Sequence, residues 1–570
     1  MSQNSSPEVV LRGDVQTEDV AAFAKAHGLA PVAARLLLAR GVTADQLQAF
    51  MAPTLRQLRD PSTMAGFPQA MSLLETAVTE GWRVAVFGDY DVDGVTSATM
   101  VSTFLEALGV DVVVQVAQRA RGYGLGLDDC AEFVGASVQL LVVCDCGTSD
   151  IEALTFMRER GVNTIVLDHH QAPEVMPPCD ALINPHQPGC EYPFKQLCTG
   201  GVAFFICAAL RARLGHTGHQ NLPDVLDWLD LAAMATVCDM MELRDENRVL
   251  VTAGLERMRE RLRPGIRSML LVAGAPLDEL SEDTFGFKLG PRINSPGRLG
   301  SATPSLELLR ERSPAKTRDR AKVVEELNTK RRAAKETTVA EALALASTAP
   351  DGEAAIVVAS SAWLPGVVGI AANDVAEAYR RPALVLATNP DTGKASGSAR
   401  TYGKVDVHAA LSACEDILDR FGGHTAAAGV SLSTERIPEL CARFTAAVAD
   451  QLEVIDHSDV EVVDDVVPLG TITEAFIDSM RSLAPYGVGF DRPRFVTQPV
   501  EVTAVRVLKD KHVALTVKDA SGKREAIAFG QAHHALETGE KVRLIHTPQV
   551  DTWKGNTKVK LHVERIWREQ

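Results

Sequence analysis

Four apolar runs in this chain each stop on an aspartate: RVAVFGD (83–89), LLVVCD (140–145), NTIVLD (163–168) and MATVCD (234–239). The first three have the length of strands, and they are too uniformly apolar for a sheet with one wet face. They alternate with other elements: a helix from about Val95, the run DVVVQVA (111–117), a helix near 150–160 and the run DALINP (180–185). This rhythm predicts a parallel α/β sheet covered by helices. Such sheets bind ligands outside the carboxyl ends of their strands, which is where these aspartates fall. The fourth run reads as the end of a helix.

The stretch FGDYDVDG sets Asp89, Asp91 and Asp93 at alternate positions. If the backbone stays extended, the three carboxylates share one side at ~6–7 Å spacing. Like charges that close repel and are costly to bury, so positive charge is expected among them. Taken singly, each aspartate reads equally well as a cap or turn residue, and His169 and His170 as ordinary structural histidines. Taken together, several strand-end carboxylates and an imidazole meet on one sheet edge. Acidic oxygens with imidazole suit Mn²⁺ or Mg²⁺ better than a structural zinc. Two such ions ~3.5–4 Å apart make a phosphoryl-transfer site. Cys144 and Cys146, as one Cys-x-Cys, do not make a zinc site.

The 570 residues allow three or four domains, and 23% charged residues with a mean hydropathy of +0.01 fit a globular chain. No apolar run approaches the ~18 residues of a membrane span, so no membrane partner is expected. MSQNSSPEVV has neither the basic flank nor the apolar core of a signal, and export is not expected. The ten cysteines form no disulfide framework, which points to a reducing cytoplasm. The net charge of −16 argues against broad affinity for nucleic acid. Residues 501–570, however, carry 13 Lys+Arg against 9 Asp+Glu, a mildly basic tail on an acidic body. With aromatics at 5%, contacts to a nucleic acid would be mainly to phosphate and would weaken with salt.

The expected organisation is a helical region (1–75), a parallel-sheet α/β domain (76–304), a charge-rich connecting helix without glycine (305–347), a smaller α/β domain (348–455) and a β-rich domain (456–570). The short strands and turns of the last suggest an OB-fold barrel.

The motifs GDYDVDG, VCDCG, LDHH and the later Asp239 resemble the four phosphoesterase motifs of the DHH superfamily. LGPRINSPGRLG (289–300), YPFKQLCTGGVAF (192–204), WLPGVVGIAA (363–372), GSAR (397–400), FGGHTAAAG (421–429) and LAPYGVGFDRPRF (483–495) are similar to the RecJ branch, the single-strand-specific DNA exonucleases. The resemblance spans about 75–570. It implies a DHH domain and a smaller DHH-associated domain joined by the long helix, with an OB-fold at the C-terminal end.

The resemblance also implies roles. Asp89, Asp91, Asp93, Asp145, His169 and Asp239 would hold two divalent ions, Mn²⁺ or Mg²⁺, with Asp145 and Asp239 the bridging candidates. His170 would contact the scissile phosphate, and Asp168 would orient His169 rather than bind metal. Arg292, Asn294 and Arg298 would grip phosphate or shape the channel. Ser398, Arg400, Gly422, Gly423 and His424 would hold the 5′-terminal phosphate and its neighbour. The implied activity is 5′→3′ hydrolysis of single-stranded DNA to 5′-mononucleotides in repair and recombination. The expected enzyme is a monomer working beside a single-strand-binding protein and a helicase. The alternative is a phosphodiesterase for short oligonucleotides or cyclic dinucleotides, for which a barrel and a long connector are superfluous.

Some positions depart from the family pattern. Leu364 follows Trp363 where histidine is usual, and Asn373 and Asp374 replace a Ser-Arg pair. Arg121 stands where an acidic residue commonly precedes the glycine, and GFDRP replaces a GNPxP-like run. Asp374 trades a plausible phosphate contact for a repulsive charge.

Overall fold

The computed structural model describes residues 7–122, 124–347, 353–453, 460–553 and 556–569. The chain divides into two units, one of residues 1–58, 242–249 and 457–570, the other of residues 59–241 and 250–456.

The larger unit is built on two sheets. In the first, β1 (Arg83–Gly88), β2 (Asp111–Val116), β3 (Leu140–Cys144), β4 (Asn163–Leu167) and β5 (Ala181–Ile183) are all parallel, in the order β2-β1-β3-β4-β5. Alternate residues of β1, β3 and β4 (Ala85, Phe87, Leu141, Val143, Val166) pack against Phe133, Leu154 and Met157 of two helices on one face. On β1 and β3 the residues between them, Val84, Val86, Leu140 and Val142, are equally buried. Helices α1 (Val92–Ala107), α2 (Thr199–His216) and α3 (Leu229–Cys238) pack on one another and are themselves mostly buried. Burial on both faces is why these strands read as unbroken apolar runs. Strand order reverses beside β1, whose neighbours β2 and β3 feed in opposite directions. The crevice between β1 and β3 is therefore the position where such sheets bind ligands.

Helix α4 (Gly290–Leu299) follows a π-helical turn, Thr284–Leu289, and lies against the long helix α5 (Pro314–Ala346). The expected connector 305–347 is two helices, Thr303–Arg310 and α5. Glu311 is extended, and Pro314 keeps the residue before it, Ser313, out of helical backbone, so the first helix ends and a second begins. The smaller sheet holds β6 (Ile356–Ser360), β7 (Ala383–Asn389), β8 (Lys394–Arg400), β9 (Arg420–His424) and β10 (Ala427–Ser433), in the order β9-β10-β8-β7-β6, with helix α6 (Pro365–Tyr379) packed on β7 and β8. The expected boundaries at 347/348 and 455/456 fall at or within residues outside those described.

The other unit closes five strands into a ring: β11 (Val500–Leu508), β12 (His512–Lys518), β13 (Lys523–Ala528), β14 (Lys541–Trp553) and β15 (Asn556–Arg568). The ring runs β14-β11-β12-β13-β15 and returns to β14, with β13 and β15 parallel, which is an OB-fold. Inward-facing Val513, Leu515, Val517, Ala526 and Ala528 fill it. His546, opposite Phe495 at a β-bulge, is wholly buried, and neither ring nitrogen has a hydrogen-bond partner among the described residues.

The region expected to be helical, 1–75, contains a strand as well. Glu8–Leu11 pairs in parallel with Val460–Val463. The region also divides between the two units after Leu58. Among the described residues no single helix is long and apolar enough to cross a membrane, and the apolar helix Pro31–Ala39 places Ala33, Leu36 and Leu37 in the barrel-side core.

Candidate metal centre

Two glycines shape the first acidic motif. A Cβ at Gly88 would lie 2.5 Å from the Gly94 oxygen, and one at Gly94 would lie 2.5 Å from the Asp89 nitrogen. Only without side chains can α1 start directly over the end of β1. The backbone therefore does not stay extended to 93, and the three carboxylates do not line one side of a strand. Asp91 caps α1 instead, accepting a hydrogen bond from the Gly94 N–H at 3.1 Å, and Asp93 sits in the first helical turn. The helix turns them apart: Asp89 and Asp91 group with Asp145, whereas Asp93 groups with His169 and Asp239, ligand atoms in each set lying within 4.8 Å of one another.

Asp145 follows β3 with φ +66°, a left-handed backbone that aims its buried carboxylate into the crevice. His169 lies between the groups. Its Nε2 is 3.3 Å from Asp239 Oδ2, 3.5 Å from Asp145 Oδ1 and 3.8 Å from Asp93 Oδ2. Asp168 plays a different part from the expected one. Its Oδ1 accepts the backbone N–H of His169 at 2.7 Å and lies 2.7 Å from His170 Nδ1, so the imidazole it orients is that of His170. Its Oδ2 accepts the Thr148 N–H at 3.2 Å, and Asn184 ties the Thr148 hydroxyl to the His170 carbonyl.

Thr199 and Gly200, in the CTGG run, had no role assigned from the sequence. Both donate backbone N–H groups to Asp93 at 2.7 Å from the start of α2, where the helix end favours negative charge. The Thr199 hydroxyl also donates to Asp145 Oδ1 at 3.2 Å. A glycine-glycine pair at a predicted helix start is the signal that could have marked them.

Burial, then the charges of Asp93, Asp91, Asp239 and Asp89, pushes the Asp145 carboxyl far above its ordinary range. Burial, then Asp93 and Asp91, pushes Asp239 up to about 9. Burial raises Asp89 and Asp93 as well. Asp168 is the exception: burial opposes its charge, but the His170 and Thr148 hydrogen bonds hold it well below the usual carboxylate range. For His170, burial is outweighed by the Asp168 hydrogen bond and by the charges of Asp168, Asp239 and Asp93, which lift it to about 9. Asp89 Oδ1 is buried with no hydrogen-bond partner among the described residues. Clustered buried carboxylates, an orphaned oxygen and a neutral imidazole form a donor set that fits hard divalent cations.

The residues expected to hold nucleic acid occupy two places. On α4, Arg292 is paired with Glu325 of α5 at 2.6 Å. Asn294 is half-buried on the same helix. Arg298 donates to the Gly366 carbonyl at 3.2 Å and lies within electrostatic reach of Asp91, Tyr90, Arg119 and Arg331. A Cβ at Gly366 would stand 2.0 Å from the Arg298 oxygen, so α6 meets α4 backbone to backbone. Arg119, another residue the sequence left without a role, stacks on Tyr90 with its guanidinium 4.3 Å from the ring centre. In the smaller sheet, pairing aligns Arg400 with Ala427 and Ala427 with His424, and Ser398 with Gly429 and Gly429 with Gly422. Register thus gathers Ser398, Arg400, Gly422 and His424 on neighbouring rungs. Arg400 donates to Ser398 Oγ and to the Ala399 carbonyl. Gly423 has φ +139°, and a Cβ there would lie 2.4 Å from the Ala427 oxygen.

Two departures from the family pattern are matched locally. Asp374 pairs with Lys335 of α5 at 2.8 Å, and Arg121 pairs with Asp129 and Glu132 at 2.5 and 2.8 Å.

Three family models match the chain: the DHH family N-terminal domain over 83–236, the DHHA1 domain over 352–450 and the RecJ OB domain over 463–565. The single-stranded-DNA-specific exonuclease RecJ of Bacillus subtilis (strain 168) is 31% identical over 563 residues, covering 97% of this chain and 70% of that protein. The crystal structure of RecJ in complex with Mn²⁺ from Thermus thermophilus superposes with a TM-score of 0.83 at 28% identity, covering 99% of this chain and 79% of that one. The Mg²⁺ complex of RecJ from the same organism gives 0.78 at 26% identity, covering 99% and 78%. Sheet order, acidic crevice, closed barrel and these likenesses agree, and the chain belongs to the RecJ family.

Proposed function

We propose that the chain is a metal-dependent exonuclease that degrades single-stranded DNA from its 5′ end to 5′-mononucleotides. The observation that carries this is the pair of ligand groupings around Asp145 and His169 at the switch point of the sheet. Asp89, Asp91 and Asp145 would hold one Mn²⁺ or Mg²⁺ ion, and Asp93, His169 and Asp239 a second. Asp145 groups with Asp89 and Asp91 and also with His169, which makes it a better bridging candidate than Asp239. Bound divalent cations supply a nucleophile at neutral pH by lowering the pKa of a water, and they neutralise phosphate charge.

The protein's own groups do the positioning. His170, kept cationic by Asp168, faces the scissile phosphate and offers it a charged hydrogen bond. Water attacks phosphorus in line, the bond from phosphorus to the 3′ oxygen of the terminal nucleotide breaks, and that oxygen takes up a proton. Ser398, Arg400 and His424 hold the 5′-terminal phosphate and so set polarity, and the barrel guides the incoming strand. The family resemblance supports a monomer acting in cytoplasmic DNA repair and recombination beside a single-strand-binding protein and a helicase.

The test compares product release from a 5′-labelled single-stranded 30-mer, its duplex and a dinucleotide. Rapid mononucleotide release from the single strand alone is expected, and preference for the dinucleotide would replace this reading with that of a small-substrate phosphodiesterase.

A further inference from the structure

The two most exposed large apolar side chains among the described residues are Phe287, at 73%, and Met240, at 71%. They lie far apart in sequence, yet the elements that carry them pack together at the end of α3. Met240 directly follows Asp239. Phe287 sits on the π-helical turn Thr284–Leu289, which packs against the residues just before Asp239. The Cys238 thiol reaches the Phe285 carbonyl at 3.5 Å, Gly286 faces Val237, and a Cβ at Gly290 would stand 2.7 Å from the Cys238 sulfur. Phe285 and Leu289 are buried on either side, which fixes the turn and leaves Phe287 standing outward.

The backbone is unusual at both positions. Helix α3 ends in a paired-hydrogen-bond turn, with the Met240 N–H on the Val237 carbonyl and the Met241 N–H on the Thr236 carbonyl. The residue at the Met240 position of such a turn has positive φ and is usually glycine. Here it is a methionine at φ +58°. A π-turn is likewise rare, and such turns are found frequently at functional sites. At Met240, backbone strain and exposed apolar surface therefore coincide directly after Asp239.

We propose that Phe287 and Met240 form an apolar lip that holds an unpaired nucleobase of the strand next to the scissile phosphate. A base offers an apolar face to stack on, and it does so only when unpaired. The lip is continuous with the carboxylate cluster through Asp239, and exposed Lys288 beside Phe287 supplies positive charge for the backbone of the same strand. Phe287 is close to the helical stripe of Asn294 and Arg298 on α4, so a strand lying along that stripe reaches it. The lip is thus a specificity element for single strands, and it rests on the reading of the chain as a single-strand exonuclease.

The experiment uses the full chain with Mn²⁺ and a 5′-phosphorylated 30-mer, intact or carrying one abasic site at each of its first four positions in turn. For the wild type, one abasic position should raise KM about tenfold, the scale of one lost base stack. Phe287→Ala and Met240→Ala should raise KM on the intact strand by a similar factor, keep kcat within threefold and no longer sense the abasic position. Phe287→Trp should restore both the low KM and the sensitivity. Both side chains are exposed, so an unchanged melting temperature is expected and checks folding. Variants with wild-type KM on the intact strand overturn the lip, as would be seen if the patch docked a protein. So does a loss that persists equally on the abasic strand. Wild-type protein inert on the intact 30-mer overturns the exonuclease reading instead, and the control separates the two failures.

Discussion

The two sheets of the larger unit handle charge in opposite ways. The parallel sheet gathers five aspartates, Asp89, Asp91, Asp93, Asp145 and Asp239, around one imidazole in a buried crevice. Several of those carboxylates are pushed upward by desolvation and by one another. The smaller sheet sets Ser398, Arg400 and His424 on adjoining rungs, where Arg400 is already bonded to Ser398 and to its own backbone. The first arrangement concentrates like charge where burial disfavours it, and the second ties its guanidinium into local hydrogen bonds.

The sharpest way to break that contrast is Asp145→Asn. Turnover should fall about 10³-fold or more, the scale on which one member of a catalytic unit is felt, while binding of single-stranded DNA by fluorescence anisotropy stays near wild type. An active Asp145→Asn protein would remove the metal assignment. Arg400→Ala should act on recognition instead. Loss of a charged hydrogen bond should raise KM for a 5′-phosphorylated strand about 10–100-fold, and a strand with a 5′-hydroxyl should lose far less. Equal losses on both substrates would place Arg400 outside the phosphate site.

Metal removal probes the cluster directly. Mn²⁺ at about 100 times its Kd should stabilise the chelator-treated protein by about 2.7 kcal/mol, read as a rise in the melting temperature of the larger unit. In Asp145→Asn the rise should shrink. An unshifted wild-type transition would mean that the cluster holds no ion.

A test independent of the metal centre lies in the barrel, where a buried imidazole has no hydrogen-bond partner among the described residues. Burial pushes His546 down to about 3, so the folded barrel refuses a proton that the unfolded chain accepts below about 6.5. Stability from this residue is therefore complete above that pH and is lost as pH falls toward 3. The wild type should lose ~1.4 kcal/mol per pH unit more than His546→Phe in that window, measured by urea unfolding at stepped pH. Parallel slopes would show that His546 does not titrate on unfolding.

Much of the parallel sheet was legible because burial on two faces writes unbroken apolar runs, and strand-end aspartates mark where they stop. The turn at Asp91 was not, since it depends on Gly88 and Gly94 touching across a helix start. The Thr199 and Gly200 clamp on Asp93 spans more than a hundred residues, and its one local trace is the glycine pair at the helix start. Asp168 was read against His169 from the family resemblance, whereas the bond goes to the next imidazole. The strand Glu8–Leu11 is too short to announce itself, and its partner, Val460–Val463, lies near the far end of the chain.

The contact of Gly366 with the Arg298 carbonyl has a mechanical consequence. Where α6 meets α4, the backbones leave no room for a side-chain carbon, so the approach of the two helices is kept by a missing methyl group. Any side chain at 366 has to push the helices apart. The spacing of the two helices is thus held at a position with no charge and no chemistry of its own, where a survey confined to polar residues would never look.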